Sequence, residues 1–192
     1  MGRFKGKLVV ISGPSGVGKT TIVREVLRRT GAEYSVSATT RPPRAGEVDG
    51  RDYRFVSEDA FRRMVAAGEM LEWAEVFSRL YGTPAGPVQE ALAEGKTVIL
   101  DIDVQGGLQV HRKMPGASYV LMTPPDEATL ASRLKGRGSE SPEVVAARLA
   151  QARKELDAAR ASGVYNHEVV NDNLEAAMRQ VVAIVKQEST EQ

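Results

Sequence analysis

Eight residues constrain this chain more than any others. "GPSGVGKT", Gly13 to Thr20, follows directly on the β-branched apolar run "KLVVIS" and opens a stretch with apolar residues at helical spacing. An apolar run without alternation is a strand covered on both faces, which is the condition of a parallel sheet. The eight residues fit the pattern G-x-x-x-x-G-K-[ST] in the strand-to-helix context that gives the pattern its meaning. Glycines let the loop fold with its N–H groups inward, and the start of the helix adds positive dipole. Lys19 then reaches the β- and γ-phosphates of a nucleoside triphosphate, and the Thr20 hydroxyl can hold Mg²⁺. Gly13, Pro14, Ser15, Gly16, Val17, Gly18, Lys19 and Thr20 are therefore the expected triphosphate site. The bland alternative is a glycine-rich turn with a surface lysine, and the flanking strand and helix weigh against it.

The rest of the chain repeats the alternation. A helix is expected over about Lys19 to Arg29, stopped by Gly31. "TVILDID" (97 to 103), "SYVLMT" (118 to 123) and "HEVVN" (167 to 171) read as further buried strands, the last preceding a helix near Leu174 to Lys186. Strand and helix in alternation predict a P-loop NTPase-type parallel α/β sheet flanked by helices. Ser35 to Phe77 has a different texture. "SVSATT", "RDYRFV" and "EMLEWAEVF" read as strands without long crossover helices, with Asp49-Gly50 as a hairpin signal, so a small β-rich lobe is expected there. Asp126 to Ala161 reads as helical, broken at "KGRGSESP", where Ser141 and Pro142 suit a cap and a first helical position.

Composition sets the bounds. The 192 residues suit one domain with a core, and 26 Lys and Arg against 25 Asp and Glu give no general field for nucleic acid or membrane lipid. Any anion is bound locally. The chain has no cysteine, so neither disulfides nor thiolate chemistry enter. No segment offers a membrane span of roughly 18 apolar residues. The apolar start is broken by Gly13 with no cleavage-like site after it, so the expected location is cytoplasmic. Oligomeric state stays open, a homo-oligomer included.

Two groups of charged residues point to chemistry. Asp101 and Asp103 close "VILDID" two residues apart, so both side chains are expected on the same face of the strand, at the end of a parallel strand where ligands collect. Asp101 is the candidate partner for Mg²⁺ near Thr20; Asp103 either points to a second ligand or caps the helix beginning near Val104. "TTRPPRAGEVDGRDY", residues 39 to 53, packs three arginines among three acids, two prolines and two glycines. Guanidinium forks grip phosphate oxygens in pairs, so Arg41 and Arg44 are candidates for a bound phosphate. Their alternative is a solvated loop paired with Glu47 and Asp49.

With "VVISGPSGVGKTT", "TTRPPRAGEVDGRDYRFV", "EMLEWAEV", "YGTP", "LDIDVQG", "RLKGRG" and "VVNDN" in this order over nearly the whole chain, the sequence resembles the guanylate kinases, a family of nucleoside monophosphate kinases. The resemblance implies transfer of the γ-phosphoryl group of ATP to GMP, with dGMP as a further acceptor, in the presence of Mg²⁺. It implies a single domain in three parts: a core of about 1-34, 84-125 and 162-192, a GMP-binding lobe of about 35-83, and a lid of about 126-161. In the family pattern Arg41, Arg44, Tyr53 and Tyr81 hold the GMP phosphate, while Glu72, Thr83 and Asp103, with Ser37 nearby, read the base. A carboxylate can accept guanine N1–H and N2–H₂ together, and a hydroxyl can donate to O6. Arg133, Arg137 and Arg148 match lid arginines that close over the ATP phosphates, and Asn171 matches a position beside adenine. Lys19, Arg41, Arg133, Arg137 and Arg148 then form the catalytic set, Arg137 also contacting ATP. Plainer roles are open to several: a solvent-facing acid for Glu72, surface pairs for the lid arginines, a turn for Asn171. The chain departs from the pattern in having Thr83 where some members have Ser, Ala38 without a hydroxyl, and Gly86 and Pro87 where a helix is expected to begin.

Two other functions share part of this signature. A guanylate-kinase-like module can lose catalysis and bind phosphopeptides, which an intact "GPSGVGKT" and full lid arginines oppose. A GTPase or a kinase for another monophosphate shares the loop, but Glu72 with Thr83 favours guanine.

Overall fold

The computed structural model describes residues 5–135 and 141–187. The chain runs β1 (Lys7–Ser12), α1 (Lys19–Thr30), β2 (Glu33–Tyr34), β3 (Ala38–Thr39), β4 (Arg54–Phe55), α2 (Glu58–Ala66), β5 (Met70–Val76), β6 (Arg79–Pro84) and α3 (Ala85–Ala93). It continues through β7 (Thr97–Asp101), α4 (Val104–Lys113), β8 (Ser118–Thr123), α5 (Glu127–Lys135), α6 (Pro142–Ser162), β9 (His167–Val170) and α7 (Leu174–Lys186). β2, β7, β1, β8 and β9 form a parallel sheet in that order.

The apolar run of β1 is explained by its two neighbours in depth. Val9 and Ile11 join Ile22, Val26, Ala177 and Val181 of α1 and α7 on one face. Leu8 and Val10 join Val88, Leu92 and Val110 of α3 and α4 on the other. β1 lies between β7 and β8, so the loop that leaves its carboxyl end opens at the sheet's central crevice.

A second sheet, ordered β4-β3-β6-β5, carries its own apolar cluster of Ala38, Phe61, Met70 and Leu80. It differs in detail from the sequence reading. α2 lies between β4 and β5, capped by Ser57, whose hydroxyl accepts from Ala60 N at 3.2 Å. β3 and β4 pair in parallel, so Asp49-Gly50 makes a tight turn rather than a hairpin. The hairpin joins β5 to β6 through Phe77 and Ser78, with φ of 50° and 58°.

α3 begins through Gly86 and Pro87 without a break, Pro84 serving as its cap residue. α5 and α6 share a cluster of Leu130, Leu134, Val145 and Ala152. Ser141 and Pro142 take the expected cap and first positions of α6, although the serine makes no capping bond. Among the described residues no helix is long and apolar enough to cross a membrane.

Candidate nucleotide-binding site

The loop from Gly13 to Gly18 turns from β1 into α1 with Gly18 at φ 94°, a conformation that L side chains rarely adopt. Space forbids a side chain there as well, since a Cβ on Gly18 would lie 2.6 Å from Asn171 Nδ2. Asn171 is buried and ties the end of β9 to the loop: its Nδ2 donates to Val17 O at 2.8 Å and its backbone N to Thr123 O at 2.8 Å. It is no surface turn residue. Lys19 Nζ donates to Gly13 O at 2.5 Å and reaches Pro14 O at 3.4 Å, so the ammonium lies across the mouth of the loop.

Asp101 ends β7, paired in register with Ile11 of β1. Burial pushes its carboxyl above the usual range, and the Lys19 charge pulls it back. Asp103 lies beyond the strand. Its Oδ1 accepts from Gly106 N at 2.7 Å as the cap of α4, so the capping reading holds for it and the shared-face argument does not. Among the described residues no three His, Cys, Asp or Glu gather as a metal cage. Thr20 and Asp101 instead suit Mg²⁺ bound largely through phosphate oxygens, the usual habit of that ion.

The helices α5 and α6 lean on the loop. Arg148 Nη2 donates to Ser15 Oγ at 2.7 Å, and Arg133 Nη2 donates to Asn171 O at 2.9 Å. Arg133 Nη1, Asn171 Oδ1 and Thr123 Oγ1 are buried and find no hydrogen-bond partner among the described residues. Such orphans are uncommon, and these three belong to Asn171 and to the two residues hydrogen-bonded to its backbone. Arg137 lies outside the described residues.

In the second sheet, Arg41 packs at 5.4 Å over the Tyr53 ring and 5.8 Å over that of Phe55, while Tyr53 meets Tyr81 edge-on at 6.2 Å. The structure thus gathers Arg41, Tyr53 and Tyr81. It adds Glu47, whose carboxylate takes both arms of the Arg41 fork at 2.9 and 3.0 Å and the Arg44 backbone N–H at 2.7 Å. Those bonds hold the Glu47 carboxyl below its usual range. Of the pairing weighed from sequence, Arg41–Glu47 is present, Arg44 contributes its backbone N–H, and Asp49 accepts instead from Phe55 N at 2.8 Å. Ser37 precedes β3, half-buried, with its carbonyl accepting from Arg54 N.

Glu72 and Thr83 face each other across β5 and β6, the hydroxyl donating to Glu72 Oε1 at 2.6 Å. Glu72 is only 8% exposed, whereas Trp73 is 39% exposed, the reverse of a solvent-facing acid. Burial pushes its carboxyl up to about 7, with Asp103 adding repulsion. Gln109 and Lys113 of α4, which sequence reasoning passed over, bond the backbone of the same strand. They lack any motif of their own.

A glycine-rich loop leaving the central strand of a parallel sheet, with a lysine across its mouth, defines a protein of the P-loop NTPase type. Residues 5–188 match the family model for guanylate kinase. The chain is 52% identical to a guanylate kinase of Gloeobacter violaceus, over 95% of this chain and 88% of that one. It is 51% identical to one of Nocardia farcinica, over 94% and 93%. The crystal structure of a guanylate kinase from Anaplasma phagocytophilum, 30% identical, superposes with a TM-score of 0.75 over 97% of this chain and 87% of its own. This chain belongs to the guanylate kinase family.

Proposed function

We propose that the chain transfers the γ-phosphoryl group of ATP to GMP, giving ADP and GDP, and works in the cytoplasm with Mg²⁺. The observation that carries the acceptor's identity is the buried Glu72–Thr83 pair. Guanine offers N1–H and N2–H₂ as adjacent donors to one carboxylate, and the Thr83 hydroxyl, a free rotor, can turn its proton from Glu72 to O6. Adenine presents the reverse pattern.

Arg41 and Arg44, with the phenols of Tyr53 and Tyr81, hold the acceptor phosphate in this reading. The bidentate grip of Arg41 on Glu47 supports it, because a phosphate offers the same oxygen pair. Lys19 and the loop N–H groups hold the donor phosphates, and Arg133, Arg137 and Arg148 add positive charge from the lid side. Thr20 and Asp101 would hold Mg²⁺, which supplies charge neutralisation between the donor phosphates. Phosphoryl transfer through a loose transition state needs positioned cations and no covalent nucleophile, so the arginines and Lys19 supply rate by geometry and charge. The division into core, GMP-binding lobe and lid is part of the same proposal, supported by the separate apolar clusters of the lobe and the lid.

Steady-state kinetics with GMP, AMP and IMP test the assignment. Glu72→Gln puts an NH₂ against a base donor, so kcat/KM for GMP should fall at least about tenfold while ATP affinity holds. A wild type that prefers AMP, or a mutant that treats GMP as the wild type does, removes guanine as the acceptor base.

A further inference from the structure

The strand that carries Glu72 is the edge of its sheet, yet that edge is not bare. β5 stands last in the order β4-β3-β6-β5, and an edge strand leaves N–H and C=O groups without ladder partners. Helix α4 supplies partners. Gln109 Oε1 accepts from Trp73 N at 3.2 Å while its Nε2 donates to Trp73 O at 3.0 Å. One side-chain amide thus makes the exchanged pair of bonds that a facing strand residue would make. Lys113 Nζ donates to Met70 O. The two grips, on residues 70 and 73, bracket Glu72.

Gly106 completes the seat. A Cβ there would lie 3.1 Å from Glu72 Oε2, so the bare helix turn is what admits the carboxylate. Positions 106, 109 and 113 fall on one face of α4, and the helix begins at Asp103, the other acid proposed to meet the base. One rigid element therefore sets both acids.

We propose that Gln109 and Lys113 are positioning residues for recognition of the acceptor base, holding Glu72 at the distance from Asp103 that the guanine edge requires. The inference rests on the reading that Glu72 accepts from guanine. Neither residue needs to touch substrate. A carboxylate that must meet two adjacent donors at once works within tenths of an ångström, and an edge strand released from its helix no longer holds it there.

The test uses Gln109→Leu and Lys113→Met, with Lys113→Arg as the conservative partner and Gln109→Glu in reserve should the leucine variant not fold. Gln109→Glu can still accept from Trp73 N but cannot donate to Trp73 O. The readout is kcat/KM with GMP and with IMP, which lacks the N2 amine, beside the affinity for an ATP analogue. In each disrupting variant the preference for GMP over IMP should shrink at least about threefold, mostly through KM. The ATP analogue should bind unchanged, and Lys113→Arg should restore the preference. A preference equal to wild type in the disrupting variants overturns the proposal, even where melting temperature falls, because a purely structural contact lowers stability without altering the ratio. If Glu72→Gln destroys the preference while the α4 variants keep it, the guanine reading stands and this inference alone falls. A wild type without any preference for GMP over IMP overturns both.

Discussion

At the scale of residues, Glu72 has the most testable environment. Burial pushes its carboxyl from an ordinary 4.5 up to about 7, so near neutral pH a large share of it carries a proton that guanine's N1–H and N2–H₂ cannot tolerate. If Glu72 accepts from guanine as proposed, only its ionised fraction is competent, and with a carboxyl near 7 that fraction falls about tenfold from pH 8 to pH 6. The dissociation constant for GMP should therefore rise about tenfold over that range, measured by calorimetry. Glu72→Gln is the control, retaining the titration of the GMP phosphate and losing this component. Stability without nucleotide moves in the opposite sense: a folded pKa above the unfolded one means the contribution is full below about 4.5 and lost as pH climbs through about 7. How much of this was legible differs by residue. Lys19 and Asp101 could be read from motif and strand end, because loop chemistry is local. The burial of Glu72 could not, because a register shift between Met70 and Glu72 upsets the simple alternation that would send Leu71 and Trp73 one way and Glu72 the other. Gln109 is invisible in sequence for a related reason: an amide on an amphipathic helix looks the same whether it meets water or a strand edge.

Elements follow the same division between local and long-range causes. β1, α1, β8 and α7 stand within about a residue of where apolar period and caps place them. α2 interrupts the stretch whose texture predicts strands alone, although Ser57, Glu58 and Asp59 form a capped, acidic first turn, because the short strands on either side mask its period. β2, β3 and β4 are two residues each: β3 and β4 fall inside the runs read as strands, "SVSATT" and "RDYRFV", and pair with each other and with β6, whereas β2 takes its form from pairing with β7, which no local pattern announces. Caps that are local should also behave locally. Asn173 accepts from Ala176 N at 2.9 Å at the start of α7, two residues after Asn171. Asn173→Ala should cost about 1 kcal/mol, lowering the melting temperature by about 2–4 °C in a chain of this size. Its kcat should match wild type, as calorimetric scanning beside a coupled assay will show. A large loss of turnover would mean that the cap positions Asn171, two residues earlier, and through it the loop at Val17.

For the whole molecule the question is how two anionic substrates come together. The strand order puts β5 against α4 and leaves Arg41, which follows β3, two strands away from that anchored edge. At about 4.8 Å per strand, Arg41 sits some 10 Å from the edge that α4 holds, so a small rotation about β5 would move Arg41 while Glu72 and Thr83 stay nearly fixed. In the proposed reading Arg41 and Arg44 meet the acceptor phosphate and Lys19, Arg133 and Arg148 the donor phosphates, so a single nucleotide engages only one side. A radius of gyration of about 16 Å is expected for 192 residues in a compact state. Small-angle scattering should record a decrease with the β,γ-imido analogue of ATP plus GMP that exceeds the sum of the changes with each alone. Scattering that stays the same with both ligands present would mean that the two phosphate sites already face each other at reacting distance.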